Sequence, residues 1–212
     1  MIYIVGNSLV SKSASDGNIT IAENYPKLLE KDFKVQVWEV ANSPIIGCAA
    51  KLLEWNIEKD SIIVIHAGCA ELVPMAKDKG LGFFSELCRN HLNVQNPNQM
   101  TTYFLETIQR YKEKTGNVPY MTGVEFFESC YKVHYELDKI KAKKIVIGIN
   151  FMSKEDWRYN YIKKADEIMK KIFGDLYFLD LFKEELGYLT GRDGIHLNER
   201  GHKYIYNYIK NQ

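Results

Sequence analysis

The chain has 212 residues, with 28 basic against 27 acidic side chains and a formal net charge of +1. So even a balance supplies no field to draw in nucleic acid or an anionic membrane. A hydrophobic share of 46% beside 26% charged residues excludes a disordered chain. The length suits one large domain over residues 1–212, able to bury a core and still leave a cleft. No apolar run approaches the ~20 residues of a membrane span. The apolar start at residues 1–5 is broken by Gly6-Asn7 too early for a secretory signal. The expectation is a cytoplasmic protein. Its Cys48, Cys69, Cys88 and Cys130 have no metal-finger spacing and read as reduced thiols.

Residues 2–5 form a continuous β-branched and aromatic run ending in Gly-Asn-Ser, which predicts a buried strand and a turn. After a polar loop, residues 19–31 can form a helix that Pro26 must kink or begin. Residues 34–40 read as a second strand, 47–57 as a helix and 61–65 as a third strand. Residues 144–149 repeat the strand pattern after a long gap. An amphipathic helix over 158–173, a last strand at 176–179 and a helix over 198–210 complete the order. Within the gap, residues 101–114 and 124–137 are helical candidates, so 73–143 reads as helical elaboration able to wall or cap a pocket.

Alternation of apolar strands with helices predicts a parallel sheet covered on both faces, a three-layer α/β/α sandwich. Five strands suit a flavodoxin-like order, with ligands bound beyond the carboxyl ends of the strands. Ser8, Ser43, His66, Gly68, Asn150 and Asp180 fall at those ends.

Ser8 sits on the turn directly after the first strand. There its hydroxyl can face the ligand edge and its amide can meet a bound carbonyl oxygen. A serine in this place can equally cap a helix. Residues 6–13, Gly-Asn-Ser-Leu-Val-Ser-Lys-Ser, also approach a phosphate-binding loop, but Ser11 stands where that loop needs a second glycine. Near the other end, Asp193 and His196 lie three residues apart in a loop before a helix. A neutral His accepts a serine proton while a carboxylate fixes its tautomer. Metal ligation is the competing chemistry, but no further carboxylate–His cluster lies near, so no metal or other cofactor is expected.

Two stretches together resemble the SGNH hydrolase superfamily, the GDSL esterases and lipases. They are Ile4-Val5-Gly6-Asn7-Ser8-Leu9 and Asp193-Gly194-Ile195-His196-Leu197-Asn198-Glu199-Arg200-Gly201-His202. Asn7 stands where the family usually has Asp. The resemblance implies the same three-layer sheet, with Ser8 as nucleophile, His196 as general base and Asp193 as its orienting acid. It also implies an oxyanion hole built from the Ser8 amide, a glycine matched by Gly47 and an Asn side chain. Ala70 occupies that Asn position, within Gly68-Cys69-Ala70-Glu71. One missing donor costs about 3 kcal/mol of transition-state stabilisation. Asn150 is the first candidate replacement and His66 the second.

The implied activity is cleavage of small acyl esters, acetyl above all and on a carbohydrate, through a Ser8 acyl-enzyme. Two alternatives stay open: an O-acyltransferase using the same triad, and a glycan- or metabolite-binding protein that Ala70 has left without catalysis. The partner is a small-molecule or carbohydrate ester in each catalytic case. The remaining polar residues have plainer readings. His134 packs or is exposed, His202 faces Tyr206, residues 141–144 lead solvated into a strand, and Asp180 caps or braces the Asp193 loop.

Overall fold

The computed structural model describes residues 1–10, 15–16, 19–20, 23–40, 43–69, 71–75, 98–114 and 118–212. Five strands form the main sheet: β1 (Ile2–Gly6), β2 (Val35–Glu39), β3 (Ile62–His66), β4 (Lys143–Ile147) and β5 (Tyr177–Leu179). All neighbours are parallel and the order is β2-β1-β3-β4-β5. The chain moves outward from β1 to β2, then crosses to β3 on the other side. The strand order therefore reverses at β1 and β3, where ligands collect in open sheets. Gly6 pairs in register with Glu39 and His66, so three loops leave the sheet side by side there.

Among the described residues six α-helices cover the sheet: α1 (Tyr25–Leu29), α2 (Ile45–Leu52), α3 (Gln99–Glu113), α4 (Gly123–Asp138), α5 (Tyr159–Phe173) and α6 (Glu199–Lys210). Alternation along the strands divides the core. Tyr3, Val5, Ile63, Ile65 and Val146 point to α2, α3, α4 and α5, while Ile2, Ile4, Val64, Ile145 and Ile147 point to α1 and α6. Each fully buried side chain of this kind stabilises the fold by about 1.5–3 kcal/mol relative to exposure. The expected three-layer, flavodoxin-like architecture is present. The elaboration expected over 73–143 supplies α3 and α4, which are part of one helical layer and pack beside α2 and α5. Residues 76–97 lie outside the described residues.

Local chemistry explains where the helices start. Asn98 with Thr101, and Thr122 with Glu125, form reciprocal capping boxes at α3 and α4. Asn24 caps α1, so Pro26 falls in the first turn and the helix begins there instead of at residue 19. α2 begins two residues before the expected Gly47, because the buried Glu71 carboxylate accepts from the Ile45 amide at 2.6 Å. That cap is 26 residues away in sequence, which hides it from any local pattern. Cys48, Cys69 and Cys130 are free, buried thiols, and burial pushes all three up from the ordinary range, Cys69 to about 12. Cys88 lies outside the described residues. Among the described residues no helix is long and apolar enough to cross a membrane.

Candidate active site

The turn after β1 is fixed by close backbone contact. A Cβ on Gly6 would stand 2.3 Å from Val10 Cγ2 and 2.4 Å from the His66 carbonyl oxygen, so only glycine fits. Asn7 is fully buried; its Oδ1 accepts from the Leu9 amide at 3.1 Å and its Nδ2 donates to Cys69 Sγ at 3.4 Å. The side chain thereby ties the turn to the loop after β3. Ser8 is left at the surface of this turn, and its amide makes no hydrogen bond among the described residues.

Ser8 Oγ lies 3.0 Å from His196 Nε2, and His196 Nδ1 lies 2.5 Å from Asp193 Oδ2. Asp193 Oδ1 accepts from the Ile195 and His196 amides, each at 2.9 Å. Burial pulls the Asp193 carboxyl upward, but the hydrogen bonds from His196 and those two amides outweigh it and hold it below the usual carboxylate range. An ionised carboxylate can only accept. His196 Nδ1 therefore carries the proton and donates, leaving the Nε2 lone pair to accept from the Ser8 hydroxyl. The structure brings Ser8, His196 and Asp193, expected from opposite ends of the chain, into one hydrogen-bonded line.

The loop holding Asp193 and His196 is braced on two sides. Gly194 has φ +72°, a left-handed conformation that closes the tight turn around the carboxylate. Arg158, at the start of α5, grips Asp156 through Nε at 2.9 Å and Nη2 at 2.6 Å, and Nη2 reaches the Asp193 carbonyl at 3.2 Å. The guanidinium holds Asp156 down to about 2, so this pair stays charged. Arg158 and Asp156 carry no motif, and sequence reasoning missed them.

The expected oxyanion donors fare differently. Gly47 lies inside the first turn of α2, and its amide already donates to the Pro44 carbonyl at 2.9 Å. That corrects the sequence assignment, because a donor engaged in the helix does not point at a ligand. Asn150 is buried beside the site, but its Nδ2 donates to the Ile195 carbonyl at 2.7 Å, and its Oδ1 has no partner among the described residues. Asn150 thus holds the Asp193–His196 loop with the amide that was expected to meet an oxyanion. His66 is turned to the other side of the sheet, with Nδ1 3.4 Å from the Tyr25 phenol oxygen Oη, and is no replacement donor. Ala70 lies outside the described residues, as do Ala41 and Asn42 beyond β2, and Ser11 to Ser13 of the phosphate-loop reading.

Three plainer expectations can also be placed. His202 stacks on Tyr25 and accepts from its amide at 3.3 Å, so it faces α1 and not Tyr206. A helix position has two inward neighbours, and the buried one prevailed. His134 sits between Asp138 and Asp175 and stacks on Phe173, far from any chemistry. Asp180 turns its own loop by accepting from the Phe182 amide and pairs with Lys170, instead of bracing the Asp193 loop.

No protein-family model matches the sequence, and no curated protein does. Solved structures do match in shape. The chain superposes on LAE5, an alpha/beta hydrolase from the metagenome of Lake Arreo, with a TM-score of 0.57 at 14% identity, over 98% of this chain and 92% of that one. Axe2, an acetylxylan esterase from Geobacillus stearothermophilus, gives 0.58 at 13% identity over 98% and 91%. The psychrotrophic esterase EstA from Pseudoalteromonas sp., in a form inhibited by monoethylphosphonate, gives 0.52 at 14% over 99% and 94%. At these identities the likeness is one of fold alone, a five-stranded parallel sheet between helices that the chain shares with these hydrolases and esterases.

Proposed function

We propose that the protein is a serine esterase that cleaves small acyl esters, acetyl above all, from a carbohydrate. One observation carries this reading: the unbroken line from Ser8 Oγ through the His196 ring to the Asp193 carboxylate, with spacings of 3.0 and 2.5 Å. In that line the Ser8 oxygen attacks the ester carbonyl as its proton passes to His196 Nε2. The imidazolium is stabilised by Asp193, then protonates the leaving alcohol oxygen as the acyl C–O bond breaks. Water repeats the sequence on the Ser8 acyl-enzyme: it gives one proton to His196, releases the carboxylic acid and restores the Ser8 hydroxyl. The uncommitted Ser8 amide is the first donor for the oxyanion.

The carbohydrate part draws on two supports. A structural neighbour acts on acetylxylan. Trp157 is 66% exposed, adjacent in sequence to Arg158, whose guanidinium reaches the triad loop, and offers a flat face for a sugar ring.

A fluorophosphonate probe tests the reading, as one neighbour is inhibited by a phosphonate. Covalent labelling is expected on Ser8, absent in Ser8→Ala and greatly slowed in His196→Ala. Acetate release from acetylated sugars should follow the same pattern, and an added sugar acceptor distinguishes transfer from hydrolysis. A folded protein that resists the probe and leaves acetyl and butyryl esters intact overturns the proposal in favour of binding without catalysis.

A further inference from the structure

A cavity opens at the carboxyl edge of the sheet, between the loops that follow β4 and β5 and one face of α5. Its volume is about 300 Å³. Phe151, Tyr159 and Phe182 line it; the Phe151 and Phe182 ring centroids are 5.7 Å apart, and Tyr159 stands 5.8 Å from Phe182. Its charged groups come as opposite pairs. Lys154 faces Glu184 at 3.6 Å, Lys163 faces Glu167 at 3.9 Å and Lys170 faces Asp166 at 2.7 Å. The lining therefore selects neither an anion nor a cation.

Asp166 is the unusual member. It is completely buried, its Oδ2 lies against Lys170, and its Oδ1 has no hydrogen-bond partner among the described residues. An unmet buried acceptor costs about 1–3 kcal/mol. Burial lifts this carboxyl to about 6 despite the nearby Lys170 ammonium. A group so placed has a use for a hydroxyl brought in from outside.

Hydroxyls both donate and accept, and a lysine beside a carboxylate offers both complements within one contact. The C–H faces of a sugar ring pack well on aromatic rings, and a cavity of this size suits a ligand of about one ring. The wall of this cavity is also joined to the triad loop. Phe151 follows Asn150, which holds the Ile195 carbonyl, and the Phe151 carbonyl accepts from Thr190 Oγ1 at 2.9 Å. We infer that the cavity is a subsite for one neutral saccharide unit of the substrate, separate from the unit whose ester Ser8 attacks. This inference rests on the proposed ester chemistry only for its word substrate; the binding itself does not require it.

The experiment uses the full-length Ser8→Ala protein and two unacylated probes, xylotetraose and cellotetraose, with binding followed by calorimetry and by amide NMR shifts. Saturable binding of at least one is expected, weakened tenfold or more by Phe182→Ala and by Asp166→Asn. Glu184→Gln changes a mostly exposed side chain and should weaken binding a few-fold, which keeps the test informative if Phe182→Ala does not fold. Binding of neither sugar, or equal binding by the folded variants, overturns the subsite. Oligosaccharide binding without fluorophosphonate labelling of the unmodified protein defeats the esterase reading and leaves the subsite standing; the reverse pattern defeats the subsite alone.

Discussion

His196 and the pair His66 and His202 are the same residue type at one end of one sheet, and their surroundings make them opposites. His196 keeps a quarter of its side chain exposed, and both ring nitrogens have partners, a carboxylate behind and a hydroxyl ahead. His66 and His202 are fully buried against Tyr25, and each has an Nε2 with no partner among the described residues. Burial drives them down, His66 to about 3 and His202 to about 4, with the charge of His196 adding to the effect. What makes an imidazole a candidate base is the pair of groups at its ends; without them it is packing material with a cost at low pH.

The largest way to break this contrast is Asp193→Asn. The amide can donate where the carboxylate accepts, so the His196 ring takes the other tautomer and no longer receives the Ser8 proton. Ester cleavage is expected to fall about 10⁴-fold with the fold intact. Comparable rates in the two proteins, measured on the same acetyl ester, would remove Asp193 from the relay.

Asn150→Ala acts one step further out. It deletes the bond to the Ile195 carbonyl and frees the loop that carries His196. A displacement of about 1 Å costs up to about 100-fold in rate. The loss should appear in kcat with KM little changed; a change in KM alone would assign Asn150 to substrate binding.

The buried pair should show itself in stability and not in rate. Both folded-state values lie below the unfolded imidazole value of 6.5, so the unfolded chain takes up protons first as pH falls. Stability present above pH 6.5 is therefore lost on acidification toward pH 4 and below, with a slope of up to about 2.7 kcal/mol per pH unit for two groups. His202→Asn keeps an acceptor for the Tyr25 amide and removes one titrating ring. Urea midpoints from pH 7 to pH 5 should then fall about half as steeply; an unchanged slope would show that His202 does not resist protonation.

The frame and the relay were legible in the sequence, because both are written in local patterns. Apolar runs gave the five strands to within a residue or two, and Asp193-Gly194-Ile195-His196 is short enough for its own backbone to build the Asp–His contact. What stayed hidden depends on partners distant in sequence. Glu71 starts α2 early and so folds Gly47 into a helix, which withdraws the expected oxyanion amide. Asn150 was placed correctly at the end of β4, but only the packed structure shows its amide spent on Ile195. Arg158 and Asp156 brace the loop across 35 residues without any spacing to announce them.

The glycine at position 6 has a consequence for how such a site can adapt. With no room for even a methyl group between Val10 and the His66 carbonyl, the Ser8 turn is seated against the backbone of the neighbouring strand. Ser8 is then a fixed datum, machined to the tolerance of a parallel sheet. Any change in the spacing between Ser8 and His196 then falls to the loop of Asp193 and His196, and Asn150 and Arg158, which hold that loop, are where such tuning would be recorded.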